Sequence, residues 1–436
     1  MTHSLLKTRE TAILVGCLLD TRDKERMRLS LEELTDLAET AGVQVVDVVT
    51  QNRDRVDAAW YLGSGKMVEI AQRAEELDVD LVIFNDELSP SQNRNLEKVF
   101  DCKVIDRTQL ILDIFALRAQ SSEGKIQVEL AQYNYLLPRL AGQGKNLSRL
   151  GGGIGTRGPG ESKLESDRRH IRRRIGELKD RLNEVVRTRH LHRERRKKNQ
   201  VYQIALVGYT NAGKSTLLNR LTNAGTLEED KLFATLDPTT RQLQLPNGLE
   251  VLLTDTVGFI QDLPTALVAA FRSTLEGLKE ADFILHVVDS HHPDLAIHME
   301  VVERVMRELD AEDIPQLVVF NKRDLIGPDH YLPKVERSLL ITANDENDLA
   351  KLRKQIEDQV LASYQSLTLN VPADRGDILS LLHRAGVDME QSFDEAGDAY
   401  RIQVRMNRDN PIYGKIAAFV NEPTGQQMAT AELGER

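Results

Sequence analysis

The chain has 436 residues, 41% apolar and 29% charged, an ordinary balance for globular protein and too much for one core, so three or four structural units are expected. No apolar run is long enough to cross a bilayer, and the start MTHSLLKTRE lacks a secretory core. The two cysteines, Cys17 and Cys102, make neither a disulfide framework nor a metal-ligand pattern, so a reducing cytoplasm is expected. The net charge of −11 hides a basic segment: residues 139–198 hold 19 Lys/Arg against 7 Asp/Glu, leaving −23 on the rest. Such a segment is either a polyanion-binding face or a solvated helix surface, and charge alone does not choose between them.

The first 120 residues alternate strand-like and helix-like stretches. Residues 11–19 and 43–49 are apolar runs rich in branched side chains. Between them the spacing of Ser30 and Glu33 predicts a capping box at a helix start, and Gly42 predicts its end. Residues 81–84 and 103–105 read as further strands, with a helix opening at Ser89-Pro90. This alternation predicts a small α/β layer. Gly63-Ser64-Gly65-Lys66 lacks the glycine spacing of a phosphate loop and has Met67 where a metal-binding hydroxyl would stand, so it reads as a turn opening a helix.

From Gly124 the periodicity becomes helical. Ile126, Leu130, Tyr133, Leu137 and Leu140 form one stripe; Leu164, Ile171, Ile175, Leu178, Leu182 and Val185 form another, and the pair predicts an antiparallel hairpin over 121–199. The connection, AGQGKNLSRLGGGIGTRGPG, has eight glycines in twenty residues. Glycine is costly to order and packs no core, so a loop this long is functional or disordered. It carries Lys145, Arg149 and Arg157, followed by Arg168, Arg169, Arg172, Arg173 and Arg174 on the adjoining helix. Glycines that let backbone approach phosphate, beside basic side chains, suit folded RNA; a flexible solubilising tip is the alternative.

The strand-like run 202–207 leads into Gly208-Tyr209-Thr210-Asn211-Ala212-Gly213-Lys214-Ser215, followed by a helix opening at Thr216. This is G-x-x-x-x-G-K-S between strand and helix, where backbone N–H groups curl around a β-phosphate, Lys214 reaches the β and γ oxygens, and the Ser215 hydroxyl ligates Mg²⁺. Asp255-Thr256-Val257-Gly258 follows a second strand: Asp255 can hold a water of the Mg²⁺ shell, and the Gly258 N–H can sense the γ-phosphate. Asn321-Lys322-Arg323-Asp324 follows a third. The Asp324 carboxylate can accept the N1–H and 2-amino group of guanine, which adenine cannot offer, while Asn321 and Lys322 brace the loop.

These three motifs in this order resemble the translation-factor-like GTPases. The resemblance implies that Thr235, in Phe233-Ala234-Thr235-Leu236-Asp237, is the switch threonine completing the Mg²⁺ shell, with Thr239 and Thr240 as rival hydroxyls. It also implies that Thr342 and Ala343 form the last base-contacting loop. Lys214, Thr235 and Gly258 would then be the catalytic set. Phe259 stands where many signalling GTPases have a water-orienting glutamine, so slow intrinsic hydrolysis accelerated by a partner is expected. Asn211 stands where relatives that use a monovalent cation carry asparagine, which raises K⁺ stimulation.

The upstream blocks narrow the resemblance. YLGSGK, LSPSQNRNLE, VIDRTQLILDIFALRA and GGGIGTRGPGES, together with GYTNAGKS, FATLDPT and DTVGF, resemble HflX, a bacterial GTPase family. That resemblance implies binding to the large (50S) ribosomal subunit, a hairpin loop reaching rRNA, splitting of stalled ribosomes under stress, and GTP, GDP and Mg²⁺ as ligands. Nothing points to an obligate dimer. Two other readings stay open: a guanine-nucleotide-regulated RNA-binding protein with negligible turnover, and an RNA-remodelling enzyme. The organisation expected is an α/β multidomain chain: a small α/β domain (1–120), the basic hairpin (121–199), a P-loop GTPase domain with a mostly parallel sheet (200–363), and a small α+β region (364–436) with a disordered end. In that last region, 367–371, 378–385 and 400–406 read as a β-α-β unit.

Overall fold

Strand β1 (Thr11–Leu18) is buried along its length from Ala12, as befits the middle of a parallel sheet covered on both faces. A computed structural model describes residues 9–140, 159–199, 201–222, 232–233, 235–261, 276–327, 330–394, 398–406, 412–416 and 420–421. Helix α1 (Lys24–Thr40) follows a 3₁₀ turn capped by Asp20, and leads to β2 (Gln44–Asn52). Next come α2 (Ser64–Glu76), β3 (Leu81–Phe84), α3 (Pro90–Leu96) and β4 (Lys103–Asp106). The sheet is parallel throughout, in the order β2-β1-β3-β4. The Ser89-Pro90 start carries a complete capping box with Gln92, and Gly63 is the N-cap of α2.

One local expectation fails. Ser30 lies inside α1 and caps nothing; the helix has already begun at Lys24. The Ser30 hydroxyl instead pairs with Asn85 at the end of β3, and Glu33 is drawn into a contact with the Tyr209 hydroxyl. A short-range pattern that satisfied a capping rule was overridden by tertiary partners.

Helix α4 (Arg107–Arg118) continues from β4, with Asp106 as its cap, and α5 (Ser122–Arg139) follows after a short break capped by Ser121. Its partner is α6 (Pro159–Asn199), whose 41 residues span about 60 Å at helical rise. Ile126, Leu130, Tyr133 and Leu137 of α5 pack on Ile171, Ile175, Leu178 and Leu182 of α6, and Arg174 donates to Glu129 across the seam at 2.9 Å. The glycine-rich connection over 141–158, with Lys145, Arg149 and Arg157, lies outside the described residues.

The second sheet is built from β5 (Gln203–Gly208), α7 (Lys214–Thr222), β6 (Thr239–Gln244), β7 (Glu250–Asp255), β8 (Phe283–Asp289), α8 (Leu295–Glu308), β9 (Gln316–Asn321), β10 (Ser338–Leu340) and α9 (Glu346–Ala362). Its order is β10-β9-β8-β5-β7-β6, and every pairing is parallel except that of β6 with β7. The third sheet contains β11 (Gln365–Pro372), β12 (Val387–Asp394), β13 (Ala399–Met406) and β14 (Val420–Asn421), with α10 (Gly376–Ala385) and the short α11 (Tyr413–Ile416). Its order is β12-β13-β11-β14 and its pairings are antiparallel. The expected β-α-β unit therefore gains two strands: β12 (VDMEQSFD), an edge strand with few apolar residues and no strong alternation, and the two-residue β14 on the other edge. The end of the chain, 422–436, lies outside the described residues.

A single apolar cluster joins the first sheet to the second. Leu34, Leu37, Ile111 and Phe115 from α1 and α4 share it with Val207, Tyr209, Phe233, Leu236 and Phe259. The loops that would hold a nucleotide are thus packed directly on the N-terminal layer.

Candidate active site

Strand β5 ends at Gly208 and α7 begins at Lys214, so the intervening loop sits at the carboxyl edge of the sheet with a helix N-terminus behind it. Gly213 has φ +93°, and a Cβ there would collide with the Asn321 side chain, so this position requires glycine. Lys214 is buried, and its Nζ donates to the carbonyls of Gly208 (3.0 Å) and Tyr209 (2.7 Å). Burial pulls its pKa down to about 8, against the opposing pull of Asp255. An anion placed in this loop would meet an ammonium whose hydrogen-bond partners, among the described residues, are carbonyl oxygens.

The Ser215 hydroxyl lies 2.7 Å from that of Thr235 and donates to Asp255 Oδ2 at 2.6 Å. Asp255 is buried at the end of β7, burial raises its pKa, and its Oδ1 has no hydrogen-bond partner among the described residues. Two hydroxyls and a carboxylate with a vacant oxygen make an all-oxygen set suited to Mg²⁺. The rival threonines are engaged elsewhere: Thr239 donates to the carbonyl of Asp237, and Thr240 pairs with Thr254 on β7.

The segment after Asp255 is tied to the phosphate loop by backbone. Phe259 N–H donates to Gly208 O (3.2 Å) and Thr210 N–H donates to Phe259 O (2.8 Å), while the Thr256 hydroxyl donates to Leu206 O (2.7 Å). Gly258 lies against Thr210, whose Cγ2 is 2.8 Å from where a Cβ would stand. The Phe259 ring is 1% exposed and belongs to the shared core, so it is a packing residue in this position.

On the opposite side, β9 delivers Asn321, whose Nδ2 donates to Ala212 O (3.0 Å) and whose Oδ1 accepts the Ala343 N–H (3.1 Å). Lys322 adopts φ +63° and its Nζ pairs with Asp289 at 2.7 Å. Arg323 turns to Asp348 on α9, and Thr342 N–H donates to the same carboxylate. Asn321 thus ties the phosphate loop to Ala343, Asp348 ties Arg323 to Thr342, and Asp324 lies exposed in the 3₁₀ turn Arg323–Leu325 between them.

The side chains of Phe233, Leu236 and Asp237, expected among the nucleotide contacts, meet the N-terminal layer. Phe233 meets Phe115 edge-on, with centroids 4.6 Å apart, and Leu236 is buried in the shared core. The Asp237 carboxylate accepts Gln120 N–H (2.9 Å), Ser121 N–H (2.7 Å) and the Ser121 hydroxyl. Ala234 lies outside the described residues. A Cβ at Gly124 would collide with that same carboxylate.

The sequence reading missed the residues that meet these loops from the N-terminal side. Tyr209 donates its hydroxyl to Glu33 and accepts the Gln261 N–H at 2.7 Å, while its ring stacks on His298 at 3.6 Å. Burial lowers the His298 pKa to about 3, with His292 adding to it, so the stacked ring is neutral. Arg107 pairs with Glu33 and reaches Gln261 O at 3.4 Å. Glu33 reads from the sequence as half of a capping box and Arg107 as part of VIDRTQLILDIFALRA, and neither pattern signals that the two side chains meet at the phosphate loop.

The basic residues Arg169, Arg172 and Arg173 lie exposed on α6; Arg168 is half-buried, and its Nε has no partner among the described residues. Arg173 is 3.6 Å from Glu177 on the same helix. Among the described residues no helix is long and apolar enough to cross a membrane, and no His/Cys/Asp/Glu group could hold a metal by itself.

This arrangement has known counterparts. The family described as 50S ribosome-binding GTPase matches residues 203–322, and those described as GTP-binding GTPase N-terminal and GTP-binding GTPase Middle Region match 28–116 and 118–196. The GTPase HflX of Alkalihalophilus pseudofirmus is 54% identical over 93% of this chain and 96% of its own length. That of Caldanaerobacter subterraneus is 49% identical over 92% of each, and that of Escherichia coli 40% identical over 91% of this chain and 93% of its own. With a phosphate loop, an Asp255 segment and a guanine-type tetrad assembled on one sheet edge, and with relatives this similar along nearly the whole chain, the protein belongs to the HflX family of GTPases.

Proposed function

We propose that this GTPase binds the large ribosomal subunit, reads rRNA with its basic hairpin, and splits or recycles stalled ribosomes under control of its nucleotide state. The observation that carries the coupling is the spacing of two residues. Thr235 meets Ser215 at the phosphate loop, and Asp237, two residues on, accepts the N–H and hydroxyl of Ser121, the N-cap of α5, the first helix of the hairpin. A change at the γ-phosphate that moves Thr235 must move Asp237 as well, and with it the helix that leads to the glycine-rich loop.

In the hydrolytic step Lys214 places positive charge at the β and γ oxygens, Gly258 offers its N–H to the γ-phosphate, and Asp324 orients the guanine. Mg²⁺, held by Ser215 and Thr235 with Asp255 behind a water, would neutralise charge developing on the transferred group. With Phe259 buried in the core, no side chain at that position orients water, so intrinsic turnover is slow and the ribosome supplies the reordering that speeds it. Asn211, exposed with φ +60°, is the residue through which K⁺ would act. Equal rates in Na⁺ and K⁺ buffers would remove that element. The protein works in the cytoplasm as a monomer.

The test is GTP turnover with and without purified large subunits, comparing wild type with Lys145, Arg149 and Arg157 changed together to Ala. Strong stimulation that the loop changes reduce supports both the partner and its reader. No stimulation by any ribosomal species would overturn the reading.

A further inference from the structure

Guanine selectivity depends on holding two loops at a set separation, because the base edge must meet Asp324 and the 342–343 backbone together. The sheet alone does not set that separation. Strand β10 is three residues long, lies at the sheet edge, and pairs with β9 only over Ser338–Leu340. The register beyond Leu340 must come from other bonds. Arg323 N–H donates to Ile341 O (3.0 Å) and Ala343 N–H to Asn321 Oδ1 (3.1 Å). Ile341 N–H also donates to Phe320 O (2.8 Å), and a further link is a carboxylate from neither loop. Asp348, in the first turn of α9, accepts Thr342 N–H (3.1 Å) and Arg323 Nε (3.0 Å) on a single oxygen, Oδ2. Its other oxygen accepts Lys351 Nζ at 3.1 Å, and its side chain is 2% exposed.

We propose that Asp348 is a positioning residue for guanine selectivity, binding the tetrad loop and the last base-contacting loop to one buried oxygen so that Asp324 and the 342–343 backbone face the same base. The proposal rests on the reading of Asp324 as the guanine acceptor. Arg323 occupies the variable position of the tetrad and is the immediate neighbour of Asp324, so its guanidinium transmits the constraint directly. A buried carboxylate with backbone and guanidinium donors is a rigid joint, since charge-assisted hydrogen bonds are short and directional. Its ionised form is favoured: burial opposes it, but the Thr342 N–H, Lys351 and Arg323 outweigh burial and hold the carboxyl below the usual range.

The experiment compares full-length wild type, Asp348→Ala, Asp348→Asn and Arg323→Ala for binding of GDP, IDP and ADP, with thermal midpoints in parallel. IDP lacks the 2-amino group, so the GDP/IDP ratio reports how well Asp324 meets the base edge. Asp348→Ala and Arg323→Ala should each compress that ratio by about tenfold, and Asp348→Asn, which keeps one acceptor oxygen, should fall between. In the Asp348 variants, turnover at saturating GTP should change far less than affinity. Loss of GDP and IDP affinity by the same factor in both Asp348→Asn and Arg323→Ala would mean that Asp348 only supports the fold, and would overturn the proposal. These two milder variants decide the matter if Asp348→Ala fails to fold. A wild type that does not distinguish GDP from ADP would instead remove the Asp324 reading, and this proposal with it.

Discussion

Asp237 and Ser121 are 116 residues apart in the chain, yet the carboxylate of the first accepts the backbone N–H of the second at 2.7 Å. Ser121 in turn accepts the Gly124 N–H at 2.8 Å, so the nucleotide-side segment and the start of the hairpin share one hydrogen-bonded knot. Changing Asp237 to Ala should therefore leave GDP affinity within about threefold while lowering ribosome-stimulated turnover by about tenfold, an ordinary size for coupling between sites. Loss of the carboxylate that accepts the Gln120 and Ser121 N–H groups should cost about 1 kcal/mol of stability. Gly124→Ala, whose Cβ would displace the carboxylate, should behave alike. Stimulation undiminished in both variants would show that the knot carries no signal.

Thr235 and Thr239 make a second contrast. Thr235→Ala removes a hydroxyl beside Ser215 and should slow hydrolysis on the order of a hundredfold while raising the Mg²⁺ concentration needed for half-maximal rate. Thr239→Ala removes a hydroxyl that, among the described residues, bonds Asp237 O in its own segment at 3.4 Å, and should leave the Mg²⁺ dependence unchanged. Titration of the rate with Mg²⁺ separates the two, and identical curves would reject the assignment of Thr235.

The buried Lys214 gives nucleotide binding a pH dependence whose sign follows from its position. Burial lowers its pKa to about 8 in the free protein, and a bound phosphate raises it again because the charged form is then paired. Below that value the free protein already carries the proton, so affinity is flat. Above it a proton must be taken up on binding, so GDP affinity should fall, approaching tenfold per unit of pH. Calorimetry in two buffers should show proton uptake at about pH 9 and almost none at about pH 7. The reverse trend would contradict this account.

Arg107 and Glu33 form an ion pair with side chains only 6% and 13% exposed, at the junction of the N-terminal layer and the phosphate loop. Arg107→Ala would leave the Glu33 carboxylate buried with the Tyr209 hydroxyl but without its counter-charge. A loss of about 3 kcal/mol is expected on chemical denaturation, because breaking one side of a buried pair costs more than the pair itself contributes. Arg107→Met with Glu33→Gln, which removes both charges, should recover much of the loss.

The nucleotide site was legible in the chain because its chemistry is local. The glycines, Lys214, Ser215, Asp255 and the 321–324 tetrad each follow directly on a strand, so spacing along the chain nearly equals position in space. The hairpin was legible for a similar reason, since its two apolar stripes repeat at helical period and must cover one another. What only the tertiary structure decided is where side chains from distant segments meet. Ser30 satisfies a capping pattern yet bonds Asn85, and Asp237, expected among the nucleotide contacts, holds Ser121, the N-cap of α5. Asp348 is six residues past Thr342 with no motif around it, and β12 is too polar to announce itself. Each of these depends on a partner brought close by packing, and hydrogen bonds between segments leave no period in the sequence to be read.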